Sequence, residues 1–485
     1  MKKKNAKKNN KPTLQEKIEI RKTEKKRKQK KALVIAAIVL ASLAVLAGAG
    51  ILVYNGFFSD KAVFEKDIIE NTSEKNPAGS DLVKRGLRTD DFIYAVYEDG
   101  TVTLSFYFGD KEYVNIPETI DGKPVTTIGK SCFYNRIGVK GVMLHEGIKY
   151  FEEYAFQNAK ALKKIEIPSG NTTVKEGTFV NCSSLTEIVI PDNIKTIETG
   201  AFYYCSGLNK VTLPDSLEKI EDYSFGACAN LKKINLPEGL SKIDENAFVA
   251  CAALEEITLP ESLETIGAYA FSECVSLKSV EIPAGVKSLP DALFNNCTAL
   301  TDVILNEGLE KIGTSTFYYC EKLEKVNVPE SVKEISQYAF CHCIELDSIY
   351  LPEGLTLLDS YAFADCDSLS SVNIPNSLTE ISNYVFASCT ALKSIDIPDT
   401  IRSIGSFAFT GCESVENVKL PESVTKIGEC AFAGMSSLER MAVPDSVKEI
   451  EKNAFHECPK LVIECSAGSA AEKYAKENKI SCLEG

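Results

Sequence analysis

The sequence lacks the residue groupings on which common enzymatic sites depend. It has no tryptophan and only three histidines, His145, His342 and His456, none of which recurs with a serine, cysteine or aspartate in a catalytic pattern. It also lacks a glycine-rich motif that would cradle phosphates. These absences predict a protein that is not an enzyme and that uses no cofactor.

Metal-binding motifs are also missing. Cys341, His342 and Cys343 are adjacent, but three adjacent side chains cannot all face one ion, and no C-x-x-C pair accompanies them. Acidic residues recur after regularly spaced prolines without an EF-hand-like loop, and turn formation and solubility explain them. We therefore predict no metal site.

Positive charge is concentrated at the N-terminus. Residues 1–31 carry a net charge of +12 and the whole chain carries −14, which leaves −26 for residues 32–485. Nucleic-acid binding needs a basic face, which so acidic a segment does not provide. The charge distribution therefore predicts a basic tail at residues 1–31 and no nucleic-acid partner.

Residues 32–58 form a long uncharged run of 27 residues. About 20 apolar residues suffice to cross a bilayer, so this segment is predicted to be a transmembrane helix. The excess of lysine and arginine on its N-terminal side places residues 1–31 in the cytoplasm and the rest of the chain outside the cell membrane. The alternative is a signal peptide cleaved after Ala47-Gly48-Ala49, which would release a secreted protein.

Residues 59–132 are predicted to connect the membrane to a folded array. Residues 59–90 are polar and mixed in charge, which is typical of a stalk or linker. Beyond them, two stretches of alternating apolar residues flank Asp99-Gly100, a strong hairpin signal. A first repeat lengthened around Asp121-Gly122 follows, so residues 91–132 are predicted to be an N-terminal cap.

Phenylalanine recurs every 23 residues over most of the remaining chain, without insertion or deletion. A fixed period of this length indicates a solenoid. Residues 133–457 are therefore predicted to form about fifteen rungs. The phenylalanines are Phe133, Phe156, Phe179, Phe202, Phe225, Phe248, Phe271, Phe294, Phe317, Phe340, Phe363, Phe386, Phe409, Phe432 and Phe455.

Each 23-residue unit has the same internal pattern, counted here from its phenylalanine. Apolar residues at +9 and +11 alternate with polar ones, which predicts a strand, and strands of successive rungs would form a parallel sheet. Proline at +12 cannot donate a ladder hydrogen bond, so it should end the strand. Apolar residues near +15 and +18 favour a second short strand. The outward positions +8 and +10 vary in chemistry, which makes that face a candidate binding surface.

Cysteine occupies position +3 in an unbroken run of eleven units, from Cys182 to Cys412. Equivalent Cβ atoms on neighbouring rungs would lie about 4.8 Å apart, whereas disulfides need about 3.8 Å. We therefore predict buried thiols that donate weakly to loop carbonyls, with rung-to-rung disulfides as the alternative. Cys465 and Cys482 are a more plausible disulfide pair.

The last unit departs from the pattern, and residues 458–485 are predicted to be a C-terminal cap. Ile463 and Cys465 face inward only if the register slips by one residue. The following stretch, 468–478, is predicted to be a helix capped by Ser469.

Aromatic residues recur two positions before the phenylalanine on four consecutive units. Tyr338, Tyr361, Tyr384 and Phe407 would form a stripe along one edge. Tyrosine is favoured at interfaces, so this stripe is the candidate binding patch. In the alternative, the rings stack on one another and cover the edge of the core.

The pattern LxxIxLPxxLxxIxxxAFxxC, the entry IDGKPVTTIG and the exit SAAEKYAKEN resemble the BspA-type leucine-rich repeat proteins of bacterial and some protist cell surfaces. The resemblance covers residues 91–485 and implies a capped leucine-rich repeat solenoid displayed at the surface. It also implies adhesion or recognition of a protein or glycan ligand, as in some members. The alternative is a structural envelope protein that associates with itself or with wall polymer. No LPxTG-like signal follows, so residues 32–58 are expected to anchor it.

Overall fold

The computed structural model describes residues 69–70 and 72–484. The predicted tail (1–31) and membrane segment (32–58) lie outside these residues. Within the described part, no helix combines the length and apolarity needed to cross a bilayer. That part is a β-solenoid of about 17 stacked turns with parallel sheets, slightly more than the fifteen predicted, because strands of both caps stack as well.

One set of parallel strands, here called the major strands, contains the +9 residue of most turns and divides into several hydrogen-bonded sheets. Its strands lie where the alternating pattern predicts them, and their inward residues are buried. The major strands are Tyr113–Asn115, Gly141–Met143, Glu187–Val189, Lys210–Thr212, Lys233–Asn235, Glu256–Thr258, Ser279–Ile282, Asp302–Leu305, Lys325–Asn327, Ser348–Ile349, Ser371–Val372, Ile395–Asp396, Asn417–Lys419, Arg440–Ala442, Val462–Cys465 and Ser481–Glu484.

A second parallel ladder, the minor strands, follows the proline-containing turn, and it confirms the short second strand. The proline carbonyl accepts the N–H three residues later, as from Leu240 to Pro237 at 3.0 Å, which closes the turn. The minor strands are Tyr150–Phe151, Thr173–Val174, Thr196–Ile197, Lys219–Ile220, Lys242–Ile243, Thr265–Ile266, Ser288–Leu289, Lys311–Ile312, Glu334–Ile335, Leu357–Leu358, Glu380–Ile381, Ser403–Ile404, Lys426–Ile427 and Glu449–Ile450.

The fifteen phenylalanines form one continuous stack through the core. Adjacent rings from Phe133 to Phe455 have centroids 5.1–5.8 Å apart and planes within 16° of parallel. Almost all are fully buried. Because each ring contacts the rings above and below, the stack requires every turn to have the same length.

Two left-handed residues flank the phenylalanine in each of these turns, at positions −2 and +2. In the turn of Phe225 they are Tyr223 and Ala227, with φ of 56° and 57°. Between them the backbone bonds to the next turn, as Phe225 N–H does to the carbonyl of Ala247 at 2.8 Å. These bends were not predicted, because most of the residues concerned are neither glycine nor asparagine.

The cysteine column consists of buried free thiols, as predicted. Each Sγ from Cys182 to Cys412 donates to the carbonyl of the preceding turn's phenylalanine at 3.1–3.3 Å. Cys465 and Cys482, the more plausible disulfide pair, are also free thiols here, on neighbouring paired strands. Burial raises the pKa of thiols in the column, for example that of Cys251 to about 12.

The N-terminal cap begins earlier than predicted. The predicted hairpin is present as β2 (Phe92–Tyr97) and β3 (Val102–Tyr107), paired antiparallel. However, β1 (Leu82–Arg88) pairs with β2, so the linker prediction for residues 59–90 is wrong for this part. The upstream chain is also bound, since Tyr97 Oη donates to the carbonyl of Ser73 at 2.8 Å.

The cap joins the solenoid through a lengthened first repeat. Strands Thr119–Ile120 and Lys123–Ile128 pair antiparallel around Asp121-Gly122, where both residues have positive φ. Lys123–Ile128 then pairs in parallel with both β3 and the first minor strand. The cap therefore covers the open end of the phenylalanine stack with Phe92 and Tyr107.

The C-terminal cap follows the sequence prediction. Strand Val462–Cys465 pairs with Arg440–Ala442 one residue short of the usual 23, which turns Ile463 and Cys465 inward. The helix Ala470–Asn478 has Ser469 as its N-cap, accepting from Glu472 N–H at 3.1 Å. The Tyr474 ring packs edge-on against Phe455 and ends the stack.

The thiol arrangement predicts how the native protein reacts with a thiol reagent. Only Cys430, Cys458 and Cys482 are half-buried; the other fourteen cysteines are buried. Ellman's reagent should therefore modify no more than these three in the folded protein, and all 17 after denaturation without reductant. A denatured count below 17 would show that disulfides form.

Glu152 predicts a pH dependence of stability. Burial is the main cause that raises its pKa to about 7, although Lys130 N–H donates to the carboxylate at 2.9 Å. The folded state then holds a proton that the unfolded chain releases near its ordinary pKa of 4.5, so stability falls as pH rises between these values.

Glu152→Gln should remove this loss of stability at higher pH. The test uses residues 65–485, which form one compact unit. The variant should have a higher melting temperature than the unmodified protein at pH 8 and the same melting temperature at pH 4. Glu153→Gln is the control, because this partly exposed neighbour forms an ion pair with Lys130. Equal melting curves for Glu152→Gln and the unmodified protein at both pH values would contradict the prediction.

Candidate functional site

The outward side chains of the major strands form a surface that the fold leaves exposed. The backbone alternates, so the +9 and +11 residues enter the core while +8 and +10 face out. Lys233 and Asn235, for example, are exposed on either side of buried Ile234. This is the candidate binding face indicated by the sequence, and the structure adds a groove that the sequence did not indicate.

The groove lies across four turns, from that of Phe340 to that of Phe409. Its cavity volume is about 670 Å³, within the range of small-ligand sites. It coincides with an interruption of the major ladder: Ser371–Val372 and Ile395–Asp396 belong to different hydrogen-bonded sheets. These two strands do not pair, and the main-chain bond from Lys393 N–H to the carbonyl of Ser370, at 3.4 Å, lies just before them.

Next to the interruption, a side chain replaces a main-chain bond between the turns of Phe340 and Phe363, whose strands still pair. In a regular turn the +11 N–H donates to the main-chain carbonyl at +10 of the next turn, as Ile190 does to Thr212 at 3.0 Å. Leu351 N–H instead donates to the side-chain Oδ1 of Asn373 at 2.7 Å, and Asn373 Nδ2 donates to the Leu351 carbonyl at 2.7 Å. The side-chain amide of Asn373 thus takes the place of its main-chain carbonyl as the acceptor, and the strand ends at Val372.

The groove combines an apolar base with a polar rim. Ile349, Ile374 and Ile395 are buried beneath it. Tyr350 is 56% exposed and contributes its ring, and Asp396 and Lys419 follow on later turns as exposed groups of opposite charge. Such a lining can contact an apolar ring face and hydrogen-bond to hydroxyl groups at the same time.

The aromatic stripe predicted from the sequence is a closely stacked column. Consecutive centroids of Tyr338, Tyr361, Tyr384 and Phe407 are 4.7, 4.4 and 4.5 Å apart, with planes within 25° of parallel. All four rings are half-buried. The three tyrosines pack over a small buried cluster of Cys341, Ala364 and Ala387.

Stacking uses the ring faces that a ligand would contact, so the column covers the edge of the core, as in the alternative interpretation. A binding role for its exposed ring edges stays a prediction. Burial raises the pKa of Tyr384 to about 12, so its hydroxyl is protonated at neutral pH and can donate a hydrogen bond.

The Cys341-His342-Cys343 sequence is divided between different environments. Cys343 belongs to the buried thiol column, and Cys341 lies under the aromatic column. The His342 ring packs edge-on against Tyr319, with centroids 4.2 Å apart. Among residues 69–70 and 72–484, no group of three or more histidine, cysteine or acidic side chains could hold a metal ion.

Sequence reasoning identified the groove's surface but missed the groove itself. Ser348 and Tyr350 were among the outward residues of the candidate face, whereas Asn373, Asp396 and Lys419 were not singled out. One available signal was the run of uncharged residues at +8, Ser348, Ser371, Ser394 and Asn417, between Lys325 and Arg440.

The turns and their parallel ladders define a leucine-rich repeat solenoid. The sequence matches the BspA type leucine rich repeat region in six copies, over residues 105–232, 218–347 and 333–462. The chain therefore belongs to the BspA-type leucine-rich repeat family.

Solved structures include relatives of this chain. A leucine-rich repeat protein from Bacteroides ovatus is 28% identical, with a TM-score of 0.59 over 78% of this chain and 99% of its own. A leucine rich cell surface protein from Faecalibacterium prausnitzii is 24% identical (TM-score 0.45; 83% and 99%). The pneumococcal vaccine antigen PcpA is 20% identical (0.41; 83% and 100%). Comparison with curated proteins gives no match.

The aromatic column makes a prediction about backbone strain. Tyr361 has a φ of 61°, a conformation that costs a residue with a Cβ about 1 kcal/mol more than glycine. Tyr361→Ala should lose about 2 kcal/mol of unfolding free energy through lost stacking, and Tyr361→Gly about 1 kcal/mol less than that. Guanidinium denaturation of residues 65–485 measures both.

Tyr318 provides the matched control. It is also half-buried over Cys341, but its φ is not positive. Glycine should therefore be no better than alanine at this position. If Tyr361→Gly were as destabilising as Tyr361→Ala, backbone strain would not limit the choice of residue in the column.

Proposed function

We propose that the chain is a membrane-anchored extracellular recognition protein that binds a protein or glycan ligand without catalysis. The observation that carries this proposal is the outward surface of the major strands. It is continuous and exposed, and its side chains change from turn to turn over an unchanging core. A constant core with a variable surface suits binding, because the surface can change without altering the fold.

Family membership supports this proposal. The BspA-type repeat is a scaffold family, and the relative from Faecalibacterium prausnitzii is described as a cell surface protein. The chain's own chemistry agrees, since its histidines are far apart in sequence and its column cysteines are buried with raised pKa values. Such thiols are poor nucleophiles.

Surface display rests on the N-terminal sequence. The net charge of +12 in residues 1–31 and the apolar run at 32–58 favour an anchor with its N-terminus in the cytoplasm. Protease added to intact cells should then remove the repeats and leave a short membrane-bound remnant. Repeats that stay protected until the cells are lysed would contradict this topology.

If the chain is a recognition protein, its ectodomain should be soluble and should bind a ligand. Residues 65–485 should be monomeric in sedimentation and should bind a component of a panel of extracellular-matrix proteins and oligosaccharides in biolayer interferometry. An ectodomain that bound no member of the panel and formed concentration-dependent assemblies would instead favour the alternative, a structural envelope protein.

The same assay tests the aromatic column. A double variant, Tyr361→Ser with Tyr384→Ser, removes two of its central rings. Unchanged affinity for the ligand, with folding verified by circular dichroism, would exclude the column from binding.

A further inference from the structure

The groove differs in charge from the rest of the major-strand surface. Its outer row, position +8, contains Ser348, Ser371, Ser394 and Asn417, whereas the other turns from Phe156 to Phe432 have a charged residue there, except for Ser279. The charged residues are Lys164, Glu187, Lys210, Lys233, Glu256, Asp302, Lys325 and Arg440. The groove therefore presents small hydroxyl and amide groups where most other turns present charges.

The inner row adds an aromatic ring followed by hydrogen-bonding groups. At position +10, successive turns contain Tyr350, Asn373, Asp396 and Lys419. Tyr350 is largely exposed, unlike the stacked rings of the aromatic column, so its face is free to contact a ligand. Asp396 offers acceptors, Lys419 offers donors, and the serines offer both.

These features match the chemistry of a sugar chain. A pyranose ring has an apolar face, which packs on an aromatic ring, and a rim of hydroxyls that both donate and accept hydrogen bonds. Stacked turns repeat at about 4.8 Å, close to the length of one sugar unit in an extended glycan. A chain crossing the strands would thus meet a new pair of polar side chains at each sugar.

We propose that the groove from Ser348 to Lys419 binds a short neutral oligosaccharide, with one sugar ring on Tyr350. This inference rests on the proposed function and names its ligand class. The volume of about 670 Å³ accommodates a few sugar units and is too small for a folded protein domain.

The charge of the rim argues against an anionic glycan, which is the main competing ligand. The rim contains two carboxylates, Asp396 and Asp399, and one ammonium group, Lys419. The groove is therefore slightly negative within a strongly acidic chain. An anionic polymer such as a sulfated glycan would be repelled. A neutral ligand meets no such penalty.

The absence of tryptophan from the sequence provides a direct test. Tyr350→Trp in the full chain, purified in detergent, introduces a single tryptophan into the groove. Titration with cellohexaose, chitohexaose and maltohexaose should shift its emission to shorter wavelength for at least one of them. Tyr113→Trp is the matched control, since Tyr113 is also on a major strand and is 57% exposed. Its emission should not change.

Further variants identify the groups that bind. For the responding sugar, Tyr350→Ala should weaken binding about tenfold or more, and Tyr350→Phe should retain most of it. Asn373→Thr introduces a residue found at this position in other turns (Thr212, Thr258) and removes the amide bonds to Leu351, so it should also weaken binding. Tyr113→Ala should have no effect. Binding that survived Tyr350→Ala and Asn373→Thr would overturn the assignment.

The outcomes separate this inference from the proposed function. If none of the three hexasaccharides binds while a matrix protein does, recognition stands and the oligosaccharide assignment fails. If heparin binds better than the neutral sugars, the assignment also fails. If neither sugars nor proteins bind, both proposals fail.

Discussion

Equal turn length is the constraint on which the rest of this structure depends. The phenylalanine stack places rings 5.1–5.8 Å apart only if each turn returns the chain to the same place. One extra residue in a single turn would displace Phe, thiol and strand columns together. Turn length changes at the two ends, in the lengthened first repeat and in the turn shortened by one residue at Val462–Cys465, where the cap helix takes over.

The left-handed residues show how the turn keeps its length when its sequence varies. Both bends beside each phenylalanine are present in all fifteen turns, although the residues there include Tyr361, Ala227, Cys430 and His342. Neighbouring turns supply the hydrogen bonds that hold each bend, as from Tyr361 N–H to the carbonyl of Asn383 at 3.1 Å. The hydrogen bonds between turns therefore impose a left-handed conformation on residues that do not favour it themselves.

The sequence predicts the features that a repeated residue type marks, and it misses those that no residue type marks. The 23-residue period yields the solenoid, both ladders, the proline turns and the buried thiols, because each is a column of like residues. The strand Leu82–Arg88 escaped detection because it is an edge strand of mostly exposed and half-exposed residues without apolar alternation. The bends escaped because no single residue type marks them, and the groove because Asn235 and Asn327 occupy the position of Asn373 in other turns.

The groove shows how such a fold can acquire a site without breaking its constraint. The major strands lose their pairing between Ser371–Val372 and Ile395–Asp396, next to the turn where the Asn373 amide replaces a main-chain acceptor, while the stack below continues from Phe340 to Phe363 to Phe386 at 5.2 and 5.7 Å. Turn length is unchanged, so the columns remain in register. Specificity can then be set by the side chains around the opening, of which Tyr350 is the most exposed aromatic. In a solenoid of identical turns, local loss of a strand bond is a route to a cavity that needs no insertion.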